Sequence, residues 1–428
     1  MNDYDSDFLS QTLIRLGLSP TGAPEDADLV LVNTCTVREK AEQKACSLLG
    51  RMSRLKKKKP ELTLGVAGCL AQHKGKQLMG RFPEIDFVMG PRDMARLPEI
   101  LDTVVSRRTR VVADRLDLLR PEAICRPGYF QGNITGQIAI MEGCNNFCSY
   151  CIVPFVRGRE TSRSPGEIIQ EAEYLVSEGV GEITLLGQNV NSYRWESGDI
   201  RTFTDLLKAL NRLSGLLRLR FTTSHPKDLG KDLIQAFGEL EHLCPHIHLP
   251  FQAGSNRVLH GMNRRYTREH YMALIHALRD VRPDMAVTSD VMVGFPGETE
   301  PDFLLTMDLI ERVGFDNLYS FQYSDRKGAA AANMDDKIDD REKASRLARL
   351  QARQKQITLE KNNKLVGHTL EVLIEGESRR GDQLSGRTAT NKVVNFKTSC
   401  YNKGSLIQVI IVRAAVNSLT GEVCVPEG

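Results

Sequence analysis

Three cysteines lie on one short segment, Glu142-Gly143-Cys144-Asn145-Asn146-Phe147-Cys148-Ser149-Tyr150-Cys151. The segment follows directly on a predicted strand over residues 137–141, which puts all three thiols at a strand's C-terminal end. Three thiolates on so short a loop can wrap one corner of an iron–sulfur cubane and bind three of its irons. The fourth iron then stays open, and an open, electrophilic iron can chelate the amino and carboxylate groups of S-adenosylmethionine (SAM). Electron transfer into the sulfonium would release methionine and a 5′-deoxyadenosyl radical, which the protein must position and shield. Structural zinc takes four ligands, commonly from two C-x2-C knuckles, and no second knuckle occurs. A purely structural or disulfide role is the competing reading.

The elements that must carry this loop are legible as three regions. Residues 1–108 alternate helix and strand: helices at 6–18, 37–57, 70–80 and 92–105, strands at 28–33, 62–67 and 86–89. This pattern argues for a parallel sheet covered by helices, although the chain opens on a helix where such a domain usually opens on a strand. Residues 109–135, with Pro121, Pro127, Gly128 and Gly132, read as a linker. Residues 136–364 repeat the alternation, with strands at 137–141, 182–186, 217–221, 246–249, 286–293 and 317–321. Six such units fit a partial (βα)6 TIM-like barrel, in which chemistry gathers at the C-terminal ends of the strands. Ser164 is expected to cap the first barrel helix, with Pro165 at its first position and Glu167 three residues on. Residues 365–428 show short alternating strands and Gly-containing turns, a small β-barrel.

Polar residues at or just beyond the predicted strand ends are candidates for the SAM pocket: Gln188, Asn189, Ser224, Gln252 and Asp290. The turn holding Gly294, Gly297 and Glu298 would let backbone approach the adenine. The competing reading of each is a loop-capping hydrogen bond. Arg157, Arg159 and Arg163 follow the cysteine loop. Arg346, Arg349 and Arg353 share one face of a predicted helix, 341–364, that carries eight Lys or Arg against two Glu. Arginine pairs well with phosphate, so both groups are candidate RNA contacts, against the reading of a charge run as a solvated face.

The 428 residues are 41% hydrophobic and 26% charged with a net charge of +3, ordinary for a globular chain with large cores. No run of 18 apolar residues suggests a membrane span, and the start lacks a basic, apolar leader, so the cytoplasm is the expected location. In a reducing compartment, clustered members of the ten cysteines point to metal or redox chemistry. Cys46, Cys125, Cys244, Cys400 and Cys424 look incidental, though Cys125 could approach the N-terminal site.

The cysteine spacing, with Tyr150 before the last thiol, resembles the radical SAM superfamily. The surrounding sequence resembles its methylthiotransferase branch, through Pro154-Phe-Val-Arg157-Gly-Arg159, Leu186-Gly-Gln188-Asn189-Val-Asn191, Ser224-His225-Pro226, His248-Leu-Pro250-Phe-Gln252 and Gly294-Phe-Pro296-Gly297-Glu298. The last region resembles a TRAM domain through Gly386-Arg387, Asn391 and Val416-Asn417-Ser418-Leu419. The resemblance covers essentially the whole chain. It implies a methylthiotransferase domain, a radical SAM core and an RNA-holding TRAM domain. It also implies two 4Fe–4S clusters and SAM as cofactors, tRNA as partner, a flavodoxin or ferredoxin as electron donor, and a monomer.

In that branch three N-terminal cysteines bind the second cluster, which is implicated in sulfur supply. Cys35 and Cys69 match two of them; their competing reading is two ordinary buried thiols. The third lies in the family just before a stretch like Met1-Asn2-Asp3-Tyr4-Asp5-Ser6. The expectation is therefore a start assigned too late or a truncated chain, with the loss of an interior strand exposing its neighbours' edges. The opening resembles the type acting on N6-isopentenyladenosine beside the tRNA anticodon. Types acting on threonylcarbamoyladenosine tRNA or a ribosomal protein share the architecture. A noncatalytic Fe–S, RNA-binding protein is the alternative of another class.

Overall fold

The computed structural model describes residues 1–36, 39–117, 127–378, 381, 383–398 and 400–424. In the N-terminal region, helix α1 (Asn2–Arg15) precedes strands β1 (Leu29–Thr34), β2 (Thr63–Gly68), β3 (Phe87–Met89) and β4 (Val111–Ala113). Helices α2 (Glu39–Lys58), α3 (Cys69–Arg81) and α4 (Leu97–Arg107) alternate with them. The strands form one parallel sheet in the order β1-β2-β3-β4. Its two faces explain the apolar strand sequences. Leu64, Val66 and Val88 pack against α2 and α3, while Ala67, Phe87 and Met89 pack against α1 and α4.

The segment 109–135 is not wholly a linker, because β4 within it joins the sheet beside β3. Strands β1 and β2 pair directly from Leu29↔Thr63 to Thr34↔Gly68.

The central region holds six parallel strands in two sheets of three. These are β5 (Thr135–Ala139), β8 (Glu182–Leu186) and β9 (Arg218–Phe221), then β10 (His246–His248), β11 (Ala286–Val293) and β12 (Asn317–Gln322). A bridge from Leu219 to Leu243 joins the two halves. A short antiparallel pair, β6 (Met141–Glu142) with β7 (Thr161–Ser162), closes the neck of the excursion that carries the cysteines. Within that excursion lies the single-turn helix α5 (Val153–Val156).

Helices α6 (Pro165–Ser177), α7 (Phe203–Leu210), α8 (Lys231–Glu239), α9 (Asn256–Gly261), α10 (Arg268–Val281), α11 (Glu300–Val313) and α12 (Asp340–Asn363) complete the barrel. Ser164 caps α6 as expected, its Oγ accepting from Glu167 N at 3.2 Å. Ile168, Ala172 and Leu175 of α6 enter one core with Ile183, Leu185, Leu219, Ile247 and Val287 of the strands. Burying each such side chain stabilises the fold by about 1.5–3 kcal/mol.

Strands β13 (Thr369–Glu377), β14 (Leu384–Thr388), β15 (Val393–Lys397), β16 (Leu406–Ala414) and β17 (Leu419–Val423) close a barrel in the order β13-β14-β15-β17-β16. It docks on the central region through arginines of β9. Arg218 donates to Arg387 O, and Arg220 donates to Thr388 O and Ala389 O. No helix among the described residues is long and apolar enough to cross a membrane.

Candidate active site

The cysteine loop is pinned from several sides. Gly143 has φ +81, and a Cβ there would lie 2.1 Å from Arg159 O, so only glycine fits. Its N–H donates to Gln188 Oε1 at 2.6 Å. Ser149 N donates to Met262 O and Ser149 Oγ to Gly261 O. The loop is thereby tied to the strand-end segments after β8 and after α9. Burial is the leading cause raising the Cys144 and Cys151 thiols, Cys151 to about 12, and the neighbouring cysteines add to it. A ligating iron would reverse this, since it binds the thiolate. Among the described residues no three side chains converge as they would around a single ion. A cubane instead uses a separate iron for each thiolate.

Sequence reasoning missed Arg264. Its guanidinium is buried and donates to Cys148 Sγ (3.4 Å), Tyr150 Oη (3.5 Å), Tyr266 Oη (3.1 Å) and Pro250 O (2.9 Å). Burial opposes its charge, but the two tyrosines and Cys148 hold it a cation. No carboxylate pairs with it among the described residues.

The predicted SAM-pocket residues divide in two. Asn189, Ser224 and Gln252 are buried at successive strand ends, and among the described residues Asn189 Oδ1, Ser224 Oγ and Gln252 Oε1 have no hydrogen-bond partner. His225 Nε2 is similarly bare, and burial, with Arg264 and Lys227 nearby, keeps that ring neutral. Buried polar groups in native proteins are normally paired. Four such atoms beside the cysteine loop suit a polar cofactor, so the donor set fits SAM. Gln252 also sits at φ +65, a backbone conformation uncommon outside glycine. Gln188 instead serves the loop backbone, and Asp290 faces His248 at 3.7 Å.

Glu298 is buried and accepts from Gly294 N (2.7 Å) and Arg346 (2.8 Å), which braces the turn internally. Gly294 and Gly297 have φ +72 and +76. A Cβ on Gly294 would meet the Lys343 side chain, so the turn packs against α12 there.

Most of the candidate RNA arginines are engaged by carboxylates within the protein. Arg157 is buried, donating to Glu142 Oε1 (2.7 Å), Asp5 Oδ2 (2.5 Å) and Cys69 Sγ (3.2 Å). Burial opposes its charge, and Cys69, Asp5 and Glu142 more than offset that. Arg163 is buried against Glu171 (2.6 Å). Arg346 is buried on Glu298, while Arg349 and Arg353 pair with Glu300 and Glu311 of or beside α11. Arg159 alone is exposed without a carboxylate partner among the described residues.

Cys35 and Cys69 come together because β1 and β2 pair Thr34 with Gly68, and each cysteine is the next residue. Gly68 has φ +95, and a Cβ there would strike Thr34 O at 2.3 Å, so this turn also demands glycine. Cys69 packs on Ile152 and Val156 of the central excursion. Burial raises its thiol, Arg157 opposes that, and Cys35 adds to it. Among the described residues no third ligand joins the pair. Cys125 lies outside the described residues.

A cavity of about 390 Å³ lies away from the cysteines, between the central strands and the C-terminal barrel, lined by Gln137, Glu182, Arg220, Arg387 and Lys403. Arg220 pairs with Glu182 and Arg387 with Glu375, while Lys403 donates to Gly132 O.

Residues 138–310 match the Radical SAM superfamily, residues 1–90 the uncharacterized protein family UPF0004, and residues 363–424 the TRAM domain. The chain is similar throughout to proteins called tRNA-2-methylthio-N(6)-dimethylallyladenosine synthase. That of Syntrophus aciditrophicus (strain SB) is 46% identical over 100% of this chain and 93% of its own length. That of Desulfosudis oleivorans is 47% identical over 98% and 94%. Among solved structures, the radical SAM methyltransferase TsrM from Kitasatospora setae, with cobalamin and a 4Fe-4S cluster bound, superposes with a TM-score of 0.57 at 16% identity, covering 74% of this chain and 69% of that one. The cobalamin-dependent SAM radical enzyme OxsB gives 0.51 at 10% identity, covering 72% and 49%. At these identities the likeness is one of fold.

Proposed function

The chain belongs to the family of tRNA-2-methylthio-N(6)-dimethylallyladenosine synthases, radical SAM enzymes, and on that premise we propose that it converts N6-isopentenyladenosine next to the tRNA anticodon into its 2-methylthio derivative. The observation that carries the chemical half of this reading is the meeting of two features at one barrel end. The three-cysteine loop and the bare polar atoms of Asn189, Ser224 and Gln252 share that end. The substrate half is supported by the full-length likeness and by the C-terminal TRAM domain.

Cys144, Cys148 and Cys151 would hold the 4Fe–4S cluster, and Asn189, Ser224 and Gln252 would bind polar groups of SAM. Bound together, these supply a one-electron cleavage that delivers a hydrogen-abstracting radical. Such chemistry suits the adenine C2–H bond, which is not otherwise activated. The chain's own residues do the positioning. Arg264 ties Cys148 to the Pro250 carbonyl, two residues from Gln252, so ligand and pocket are held by one cation. Gln188 holds the backbone of Gly143 beside Cys144.

Cys35 and Cys69 would hold part of a second, sulfur-supplying cluster. Among the described residues these two thiols fall short of a cluster's donor set. A flavodoxin- or ferredoxin-type protein would supply electrons.

Anaerobic reconstitution with iron, sulfide, SAM and dithionite tests the reading. Formation of 5′-deoxyadenosine that rises on adding an RNA stem-loop containing N6-isopentenyladenosine is the expected result. No 5′-deoxyadenosine under any of these conditions refutes it.

A further inference from the structure

We propose that Phe147, Phe155 and Arg159 form a stacking platform for an unpaired base of the RNA substrate, on the rim of the cysteine loop. The proposal rests on the reading above that the substrate is RNA.

Phe147 is 36% and Phe155 50% exposed. Their neighbours Cys148, Ile152, Pro154 and Val156 are buried. The two rings meet edge to face, with centroids 6.3 Å apart at 80°. The Arg159 guanidinium lies 5.2 Å from the Phe147 centroid. The two nearly perpendicular rings and the cation thus form one exposed corner, in which a base can stack on one ring against the edge of the other, flanked by polar Asn145 and Glu160, which bond to each other's backbone N–H.

The loop is built to turn Phe147 outward. Its φ is +47, in the left-handed region that a bulky side chain rarely adopts. Such a conformation persists only where its surroundings impose it. Here Asn263 Nδ2 donates to Phe147 O (3.0 Å) and Asn146 O (3.3 Å), and the flanking Asn146 and Cys148 are buried.

The chemistry of this face selects its occupant. Two rings offer too little apolar area for a stable protein interface. They do match a nucleobase, which has a flat π face and a phosphate within reach of a cation. Single-stranded RNA loops are held in this way, by splayed bases on aromatic rings and guanidinium planes. A base stacked here would seat the loop beside the cluster, leaving the neighbouring target base free to enter the barrel.

Fluorescence anisotropy with a labelled RNA stem-loop carrying N6-isopentenyladenosine tests the platform. Phe147→Leu and Phe155→Leu should each weaken binding about tenfold. The slope of log Kd against log salt should stay unchanged, because no charge is lost. Arg159→Gln should weaken binding and lower that slope by about one. Phe155→Trp, which keeps a stacking surface, should restore tight binding, and Leu304→Ala on exposed α11 should bind as the parent does. Equal affinity of both leucine variants and the parent overturns the platform alone, as does Phe155→Trp binding as weakly as Phe155→Leu. A parent protein that binds no RNA overturns the functional reading and the platform with it.

Discussion

Two buried arginines each stand beside a cysteine sulfur, and their surroundings predict different consequences of losing them. Arg157 neutralises Asp5 and Glu142, both 3% exposed at the side chain. Arg157→Gln removes the buried cation that Glu142 pairs with and should cost about 3 kcal/mol, read as a lower urea midpoint. Arg264→Met removes the guanidinium donor from Pro250 O and two tyrosine hydroxyls and takes a positive charge from Cys148. The reconstituted protein should reduce at a more negative potential, measured by EPR-monitored titration, since hydrogen bonds to cluster sulfurs tune potential. An unchanged potential would assign Arg264 to packing alone. The cysteine trio was legible in the sequence because its spacing is local. Arg264 was not, because it reaches Cys148 across 116 residues. Arg157 was misread as a phosphate contact because charge alone does not reveal burial.

At the scale of elements, α12 shows the same limit. Its basic run predicted a helix over 341–364, one residue from the observed Asp340–Asn363 at each end, but its arginines form a ladder along acidic residues rather than an open face. Arg346 reaches Glu298 and Glu342, Arg349 reaches Glu300, and Arg353 reaches Glu311. Arg346→Ala should cost about 3 kcal/mol, because Glu298 is left buried and unpaired. Arg349→Ala and Arg353→Ala should each cost under about 1 kcal/mol, as exposed pairs do. Urea denaturation separates the two outcomes, and equal losses would contradict the ladder. The strand–helix alternation was readable from apolar periodicity and from caps such as Ser164. Strand β4 was missed because Val111–Ala113 is short and followed by a Pro- and Gly-bearing stretch.

At the scale of the whole molecule, Asp316 joins three parts. Its carboxylate accepts from Lys361 of α12 and Lys392 of the C-terminal barrel, and from Val287 N in β11. Burial raises its pKa, yet the two lysines hold it below its ordinary value of 3.8. Its contribution is therefore complete above about pH 4 and is lost as pH falls through the depressed folded value. His246 also faces this group; burial and Arg220 hold it neutral down to about 3. Asp316→Asn should lower stability at neutral pH and flatten, without abolishing, its decline in acid, measured by thermal unfolding across pH. A decline as steep as the parent's would contradict this joint. The three fold classes were readable from pattern. Their docking was not, because it depends on side chains such as Arg218, Arg220 and Lys392 that look like ordinary surface charges in sequence.

The central claim, methylthiolation of isopentenyladenosine in tRNA, is tested most directly by mass spectrometry of tRNA nucleosides from cells deleted for this gene. The expected result is loss of 2-methylthio-N6-isopentenyladenosine with accumulation of N6-isopentenyladenosine. Persistence of the methylthio nucleoside at its normal level would contradict it.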